Sequence, residues 1–245
     1  MFWGSSMSEK ETTGYYKRKL LDVTFMLLRR GLYEYTAGHT SLRIPGTDTI
    51  LIPGHIHPER RTIDSLTEED ISIMDLDGNL VEGVLSPPGE RFIHTEIYKV
   101  RKDVGAVAHI HPKVVTALSV SGKEILPLTV HSCIFQPKVP IYPYPGDINT
   151  PEMAKELADL LGNGYAVVQQ GHGATVVGGD IEQACVIAML LEDSAESQMI
   201  AMAVGTPKVL PERYLEKKFT IGTEDWEFFG NPWVYYYDKY IKRNR

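Results

Sequence analysis

Val104-Gly-Ala-Val-Ala-His109-Ile-His111 is a short apolar run that ends in two histidines separated by one isoleucine. In a strand the side-chain period is two, so both imidazoles leave one face while Ile110 goes to the other. Two neutral imidazoles at that spacing chelate a borderline divalent ion; the competing reading is two unrelated, partly exposed histidines beside Pro112. A third histidine bears on the choice. His172 stands in Gln170-Gly171-His172-Gly173, at the end of a second strand-like run, Tyr165-Ala-Val-Val-Gln-Gln170. Its glycines permit close approach at a strand end, read here as a turn leading into a helix, and open α/β sheets bind ligands at such ends. Three histidines leave coordination positions free for substrate and water, which is the catalytic pattern.

The flanking segments mix strands and helices. Tyr15 to Arg30 has a helical apolar face, and Gly31 follows as a stop. His39–Arg43 and Thr49–Ile52 read as strands joined by the Pro45-Gly46-Thr-Asp48 turn, and Ile71–Leu76 and Leu80–Val84 flank Asp77-Gly78-Asn79. Helices are expected over Glu90–Val100, Lys113–Ser119, Pro151–Leu161 with Thr150 as N-cap, and from Gly179 or Asp180 to about Val204. Val139–Pro145 is proline-rich and at best an edge segment. Hairpins mixed with crossovers predict a single α/β domain with a mixed sheet.

Composition narrows the function. The chain has 245 residues, 43% of them hydrophobic, and a net charge of −7. It is long enough to bury a sizeable core, and too acidic to favour nucleic acid as a partner. No apolar run approaches the ~18 residues of a membrane span, and no signal peptide is recognisable, so a cytoplasmic protein without a membrane partner is expected. Cys133 and Cys185 sit in apolar surroundings and read as small buried hydrophobes.

Further polar residues each carry two readings. Glu90 follows Pro87-Pro88-Gly89 at a helix start, where it either complements the helix dipole or serves as a fourth ligand or proton-transfer group. His94, four residues on, is expected to share a helix face with it. His131 either points into the site or is a hydrogen-bonded core histidine. Arg91 and Arg43 either receive a substrate carboxylate or form surface ion pairs. His55 and His57 lie on a loop that either covers the pocket or is solvated. Trp226 to Arg245 is dense in aromatics, among them Trp233 and Tyr235 to Tyr237, and a docking role suits it.

Ala37-Gly-His-Thr-Ser-Leu-Arg43, Glu90-Arg-Phe-Ile-His94, Arg101-Lys-Asp-Val-Gly-Ala-Val-Ala-His109-Ile-His111-Pro112 and Gly171-His172-Gly173 occur in this order. Together they resemble the class II aldolase/adducin family of fuculose- and rhamnulose-phosphate aldolases and ribulose-phosphate 4-epimerase, from about Tyr15 to Gly205. The resemblance implies a single three-layer α/β/α domain with a central mixed, largely antiparallel sheet, often a homotetramer with active sites near subunit interfaces. It implies boundaries at 1–14 for a flexible N-terminus, 15–210 for the domain, and 211–245 for an aromatic tail over the active site or an interface. It also implies one divalent ion per subunit (Zn, Mn, Fe or Co, with Zn or Mn favoured) on His109, His111 and His172. Glu90 falls on the glutamate that binds the metal at rest and moves protons in turnover. Apart from the resemblance, the Tyr235–Tyr237 run is read as delivering a phenol from the next subunit; Tyr236 is the candidate, although three tyrosines in a row do not show which faces inward. His39, Arg91, His94 and His131 are candidate substrate contacts.

The sequence departs from the sugar-phosphate members where they hold phosphate. Gly38-His39, Ile52-Pro53-Gly54-His55 and Pro88-Gly89 replace small hydroxylated residues, and proline offers an anion neither hydroxyl nor N–H. The Pro87-Pro88-Gly89-Glu90-Arg91-Phe92 segment and the aromatic tail look more like the family's decarboxylases. The expected function is a metal-dependent carbon–carbon lyase of a non-phosphorylated hydroxy- or oxo-carboxylate, with decarboxylation ahead of retro-aldol cleavage. The alternatives are a sugar-phosphate aldolase or epimerase, a non-catalytic adducin-like scaffold, and a metal-dependent oxygenase on the same fold.

Overall fold

The computed structural model describes residues 9–55, 62–215 and 226–244. Its centre is β5 (Ala106–Ile110), buried along its whole length. Antiparallel to it run β1 (His39–Arg43) on one side and β8 (Gly173–Gly178) on the other. Beyond β1 lie β2 (Thr49–Pro53), β3 (Ile71–Asp75) and the exposed β4 (Leu80–Glu82), all antiparallel. Beyond β8 lies β7 (Ala166–Gln169), and the short edge strand β6 (Ile141–Tyr142) pairs with it in parallel. The result is an eight-stranded mixed sheet, antiparallel except at that edge.

Helices cover both faces. On one face α1 (Glu9–Arg30), α3 (Lys113–Val120) and α5 (Ile181–Val204) bring Leu20, Leu27, Val115 and Leu191 against Ala106, Ala108 and Ile110. On the other, α2 (Arg91–Val100) and α4 (Pro151–Leu161) bring Ile93, Ile97 and Leu157 against Ile50, Ile52, Val107 and Val177. Strand parity therefore assigns Val107 and His109 to the α2–α4 face. α4 starts as expected, with Pro151 at N1 and the Thr150 hydroxyl accepting from the Met153 N–H. After the four-residue α6 (Glu212–Leu215), the chain ends in α7 (Trp226–Tyr240), laid over α1 and α5 with Trp233, Tyr236, Tyr237 and Tyr240 against that core.

Two expectations are corrected. Residues 9–14, taken as part of a flexible start, are the first turns of α1. Extending a helix costs little once Leu20 to Leu27 have anchored it. Gly173–Gly178 is a strand, so the chain after Gln169 makes a hairpin before it enters α5, and Gly171-His172 is the hairpin tip. Cys133 and Cys185 are buried, as expected. Among the described residues no helix is long and apolar enough to cross a membrane.

Candidate metal centre

His39, His109 and Thr175 form one row across β1, β5 and β8, since His39 pairs with His109 and His109 with Thr175. Side chains in such a row project from the same face about 5 Å apart, and the rings of His39 and His109 stack at 5.2 Å. His111 follows the end of β5. Its N–H donates to the Leu32 carbonyl at 2.7 Å. The Glu192 carboxylate of α5 accepts from the Val114 and Val115 N–H groups at 3.0 and 3.1 Å, which secures the start of α3 just beyond it. His172 reaches in from the β7–β8 tip. Gly171 takes the left-handed φ of +71° there, and any Cβ on Gly173 would lie 2.3 Å from the Ile110 carbonyl oxygen. Both glycines are required for the tip to approach β5.

Ligand-capable atoms of His109, His111 and His172 all lie within 4.8 Å of one another. The outer nitrogens of two of them have partners. His109 Nδ1 lies 3.1 Å from Thr175 Oγ1, and His172 Nδ1 donates to the Pro145 carbonyl at 3.1 Å. The Nε2 atoms of both are buried and lack a hydrogen-bond partner. Leaving a buried polar atom unsatisfied costs about 1–3 kcal/mol, and two such lone pairs beside a third imidazole suit a divalent metal ion. Burial is the main cause that holds His109 well below the usual histidine range and lowers His111 to about 4. Both therefore present uncharged nitrogens at neutral pH.

Glu90 is the N-cap residue of α2, yet its side chain makes no capping bond. Its Oε1 accepts from the Ile148 N–H at 2.9 Å. Its Oε2 lies 3.5 Å from His109 Nε2, 3.7 Å from His172 Nε2 and 3.9 Å from His39 Nε2. Burial acts to raise the Glu90 carboxyl, but the three imidazoles outweigh it and hold it well below the usual carboxylate range. The same pairing with Glu90 pushes His172 up.

These groups border a cavity of about 260 Å³ lined by Gly38, His39, Pro53, His55, Glu90, His111, Asp147 and His172, among others. Two of its backbone donors are already committed. The Gly54 N–H goes to the Asp70 carbonyl at 2.9 Å and the His55 N–H to the Ser86 carbonyl at 2.6 Å. A phosphate placed against this wall would find neither group free to donate.

Other candidates lie elsewhere. His94 is fully buried, and its ring nitrogens contact His39 Nδ1 and Ser41 Oγ, each at 2.7 Å, so it stands behind the cleft wall. Arg91 lies over the Phe92 ring at 4.4 Å, beside Gly78, and does not line the cavity. Arg43 donates to the Tyr98 carbonyl at 2.7 Å and covers the Tyr98 ring, a structural use. His131 is exposed at the start of a short 3-10 helix and is also absent from the cavity wall. Tyr236 donates to Asp193 at 2.9 Å in the layer of α5 and α7, across the sheet from Glu90. His57 lies outside the described residues. Sequence reading missed Asp147, whose carboxylate lies within 4.8 Å of ligand atoms of Glu90 and His172. Pro145-Gly146-Asp147 is a turn-type triplet, the one signal that marked a loop there.

Comparison with known proteins identifies the family. The Class II Aldolase and Adducin N-terminal domain family matches residues 18–199. A 3,4-dihydroxyphthalate decarboxylase from Arthrobacter keyseri is 33% identical over 198 residues, covering 76% of this chain and 79% of that protein. An L-fuculose phosphate aldolase from Methanocaldococcus jannaschii is 31% identical over 150 residues, covering 61% of this chain and 80% of that protein. The solved structure of an L-fuculose 1-phosphate aldolase superposes with a TM-score of 0.75 at 26% identity, covering 87% of this chain and 96% of that one. This chain belongs to the class II aldolase/adducin family.

Proposed function

We propose that the protein is a divalent-metal-dependent decarboxylase of hydroxylated aromatic carboxylates, substrates of the class named for its relative from Arthrobacter keyseri. The observation that carries this reading is a three-histidine set beside a cleft wall where Pro53 and Pro88 offer no donor and the Gly54 and His55 N–H groups are already bonded. His109, His111 and His172 hold the ion, Zn or Mn in preference to Fe or Co, and Glu90 stands beside it. Bound there, a divalent ion polarises chelating substrate oxygens and offsets the negative charge left as the carbon–carbon bond breaks.

The chain's own groups supply the proton transfer. Glu90 keeps Oε1 on the Ile148 N–H, so Oε2 is the atom that takes the proton of a substrate hydroxyl. The carboxylate then leaves as carbon dioxide, Glu90 returns the proton to the carbon that lost it, and the phenolate regains a proton from solvent. Pro53, Ile63, Leu66 and Pro88 give the cleft apolar walls that suit a ring. A homotetramer with clefts near subunit boundaries belongs to this reading.

Retro-aldol cleavage is the second reading, favoured by the superposition on fuculose-phosphate aldolase. One screen separates the two. The metal-loaded protein is offered hydroxylated phthalates and benzoates, hydroxy-ketoacids and fuculose 1-phosphate, with carbon dioxide and aldehyde release measured. Carbon dioxide from a hydroxylated aromatic carboxylate is expected, with kcat/KM at least roughly 100-fold above that for the sugar phosphate. Efficient aldehyde release from fuculose 1-phosphate would overturn the proposal.

A further inference from the structure

The loop between β6 and α4 brings a second carboxylate to the cleft and is held on both sides of it. The Pro145 carbonyl accepts from His172 Nδ1 at 3.1 Å. The Gly146 carbonyl accepts from the side-chain amide of Gln169, which is 1% exposed. The Ile148 N–H donates to Glu90 Oε1 at 2.9 Å, and the Ile148 side chain is fully buried. Asp147 stands between these anchors, so its backbone stays at the wall. Its own side chain is exposed, lines the cavity and accepts no hydrogen bond from the described residues. A carboxylate oxygen of Asp147 lies within 4.8 Å of ligand atoms of Glu90 and His172.

The charges around the cleft are few. Among the described residues no lysine or arginine lines it, and apart from histidines its ionisable groups are Glu90 and Asp147. A divalent ion on His109, His111 and His172 would bring two positive charges against these two carboxylates. Asp147 is close enough to be felt at the ligands: Glu90 is the main cause that pushes His172 up, and the Asp147 charge adds to it. A hydroxyl entering such a cleft meets no repulsion and can donate to a carboxylate oxygen. A phosphate dianion finds the charge of the ion already balanced and two like charges nearby.

We infer that Asp147 is a specificity-determining residue, a negative charge on the cleft wall that admits substrate hydroxyls and turns phosphate groups away. Pro53 and Pro88 deny a phosphate its donors, and Asp147 adds a force against it. A substrate carboxylate carries half the charge of a phosphate dianion and is opposed half as strongly, which leaves it free to reach the ion. The inference rests on the function proposed above in taking the metal cleft as the substrate site. It does not depend on which bond is broken there.

Binding of inorganic phosphate and of dihydroxyacetone, a neutral hydroxylated probe, to the full-length metal-loaded protein tests this by calorimetry. Asp147→Ala removes the charge and adds no donor, whereas Asp147→Asn keeps the shape. Both variants should retain a full equivalent of metal on elemental analysis and bind phosphate roughly tenfold more tightly than wild type. Neither should bind dihydroxyacetone more tightly. The gain for phosphate should shrink between about 0.01 and 1 M salt, as the Debye length falls from ~30 to ~3 Å, a dependence that a merely structural role would not produce. Phosphate affinity unchanged or lower in both variants overturns the inference, as does an equal gain for the neutral probe, which would mean that the cleft had only been widened. Loss of the metal would overturn it too, by making Asp147 a ligand. Binding is read on resting protein, so a failed decarboxylase assay would count against the proposed function alone.

Discussion

Replacing Glu90 by glutamine should separate catalysis from stability and reverse the sign of its stability effect with pH. The amide oxygen can still accept from the Ile148 N–H, so the α2 start and the loop that carries Asp147 keep their contact. What disappears is a nearly buried charge, with 13% of the side chain exposed, that faces the imidazole Nε2 atoms. Without the base at Oε2, kcat should fall by roughly 10²–10⁴. In metal-free protein the stability effect follows from His172, which Glu90 pushes above the ordinary histidine value of 6.5. A histidine raised in the folded state contributes stability that is fully present below the unfolded pKa and lost as pH rises through the folded pKa. At pH 6 the wild type should therefore be the more stable, by about 1 kcal/mol or 2–4 °C in Tm for a chain of this size. At pH 9 the imidazoles carry no charge, and a desolvated carboxylate with one hydrogen bond is a cost that glutamine avoids. The variant should then melt at the same temperature or a few degrees higher. Thermal melts of chelator-treated protein from pH 6 to 9, paired with turnover of the loaded enzyme, provide the assay. Wild-type turnover in the variant, or a Tm lower than wild type at every pH, would refute this account of Glu90.

Other substitutions test the surroundings. Alanine at His109, His111 or His172 should each abolish stoichiometric metal uptake on elemental analysis; retention of a full equivalent by any of them would remove that residue from the set. Thr175→Val keeps the volume but removes the oxygen 3.1 Å from His109 Nδ1, so metal affinity in a competitive chelator titration should drop 10–100-fold. An unchanged affinity would make Thr175 a packing residue. Tyr236→Phe loses the bond to Asp193 and should cost about 1 kcal/mol of stability while kcat stays within about twofold. A kcat lower by tenfold or more would instead mark Tyr236 as an acid delivered to a neighbouring cleft.

What the sequence disclosed and what it withheld divide along physical lines. Strand parity put His109 and His111 on one side with Ile110 on the other, and β5 lies as that pattern requires. The Pro151 helix was equally readable because its cap is a side chain. β8 was missed although Thr175 and Val177 alternate with Ala174 and Val176, because its bounding glycines read as one long turn into α5. His94 was expected beside Glu90 on one helix face. Glu90 is the cap residue of α2, and both side chains approach the His39 ring, with His94 also bonded to Ser41 in the sheet. The 145–148 loop was not legible as part of the site. It acts through the Pro145 carbonyl on His172 and the Ile148 N–H on Glu90, and backbone groups are the same in every residue but proline.

The cross-strand row explains how a site built from imidazoles is held in place. His39, His109 and Thr175 meet because β1, β5 and β8 pair in one register, and a slip of one residue in β5 would turn His109 into the opposite core. On the site face the His109–Thr175 contact opposes that slip, while the orphaned Nε2 atoms of His109 and His172 contribute nothing until an ion joins them. A larger restraint comes from the other face. Ala106, Ala108 and Ile110 are fully buried under α1 and α5. Exchanging Ile110 for a histidine there would forfeit about 1.5–3 kcal/mol of burial and strand a polar ring among leucines. Hydrophobic packing behind the sheet thus sets the positions of the imidazoles in front of it.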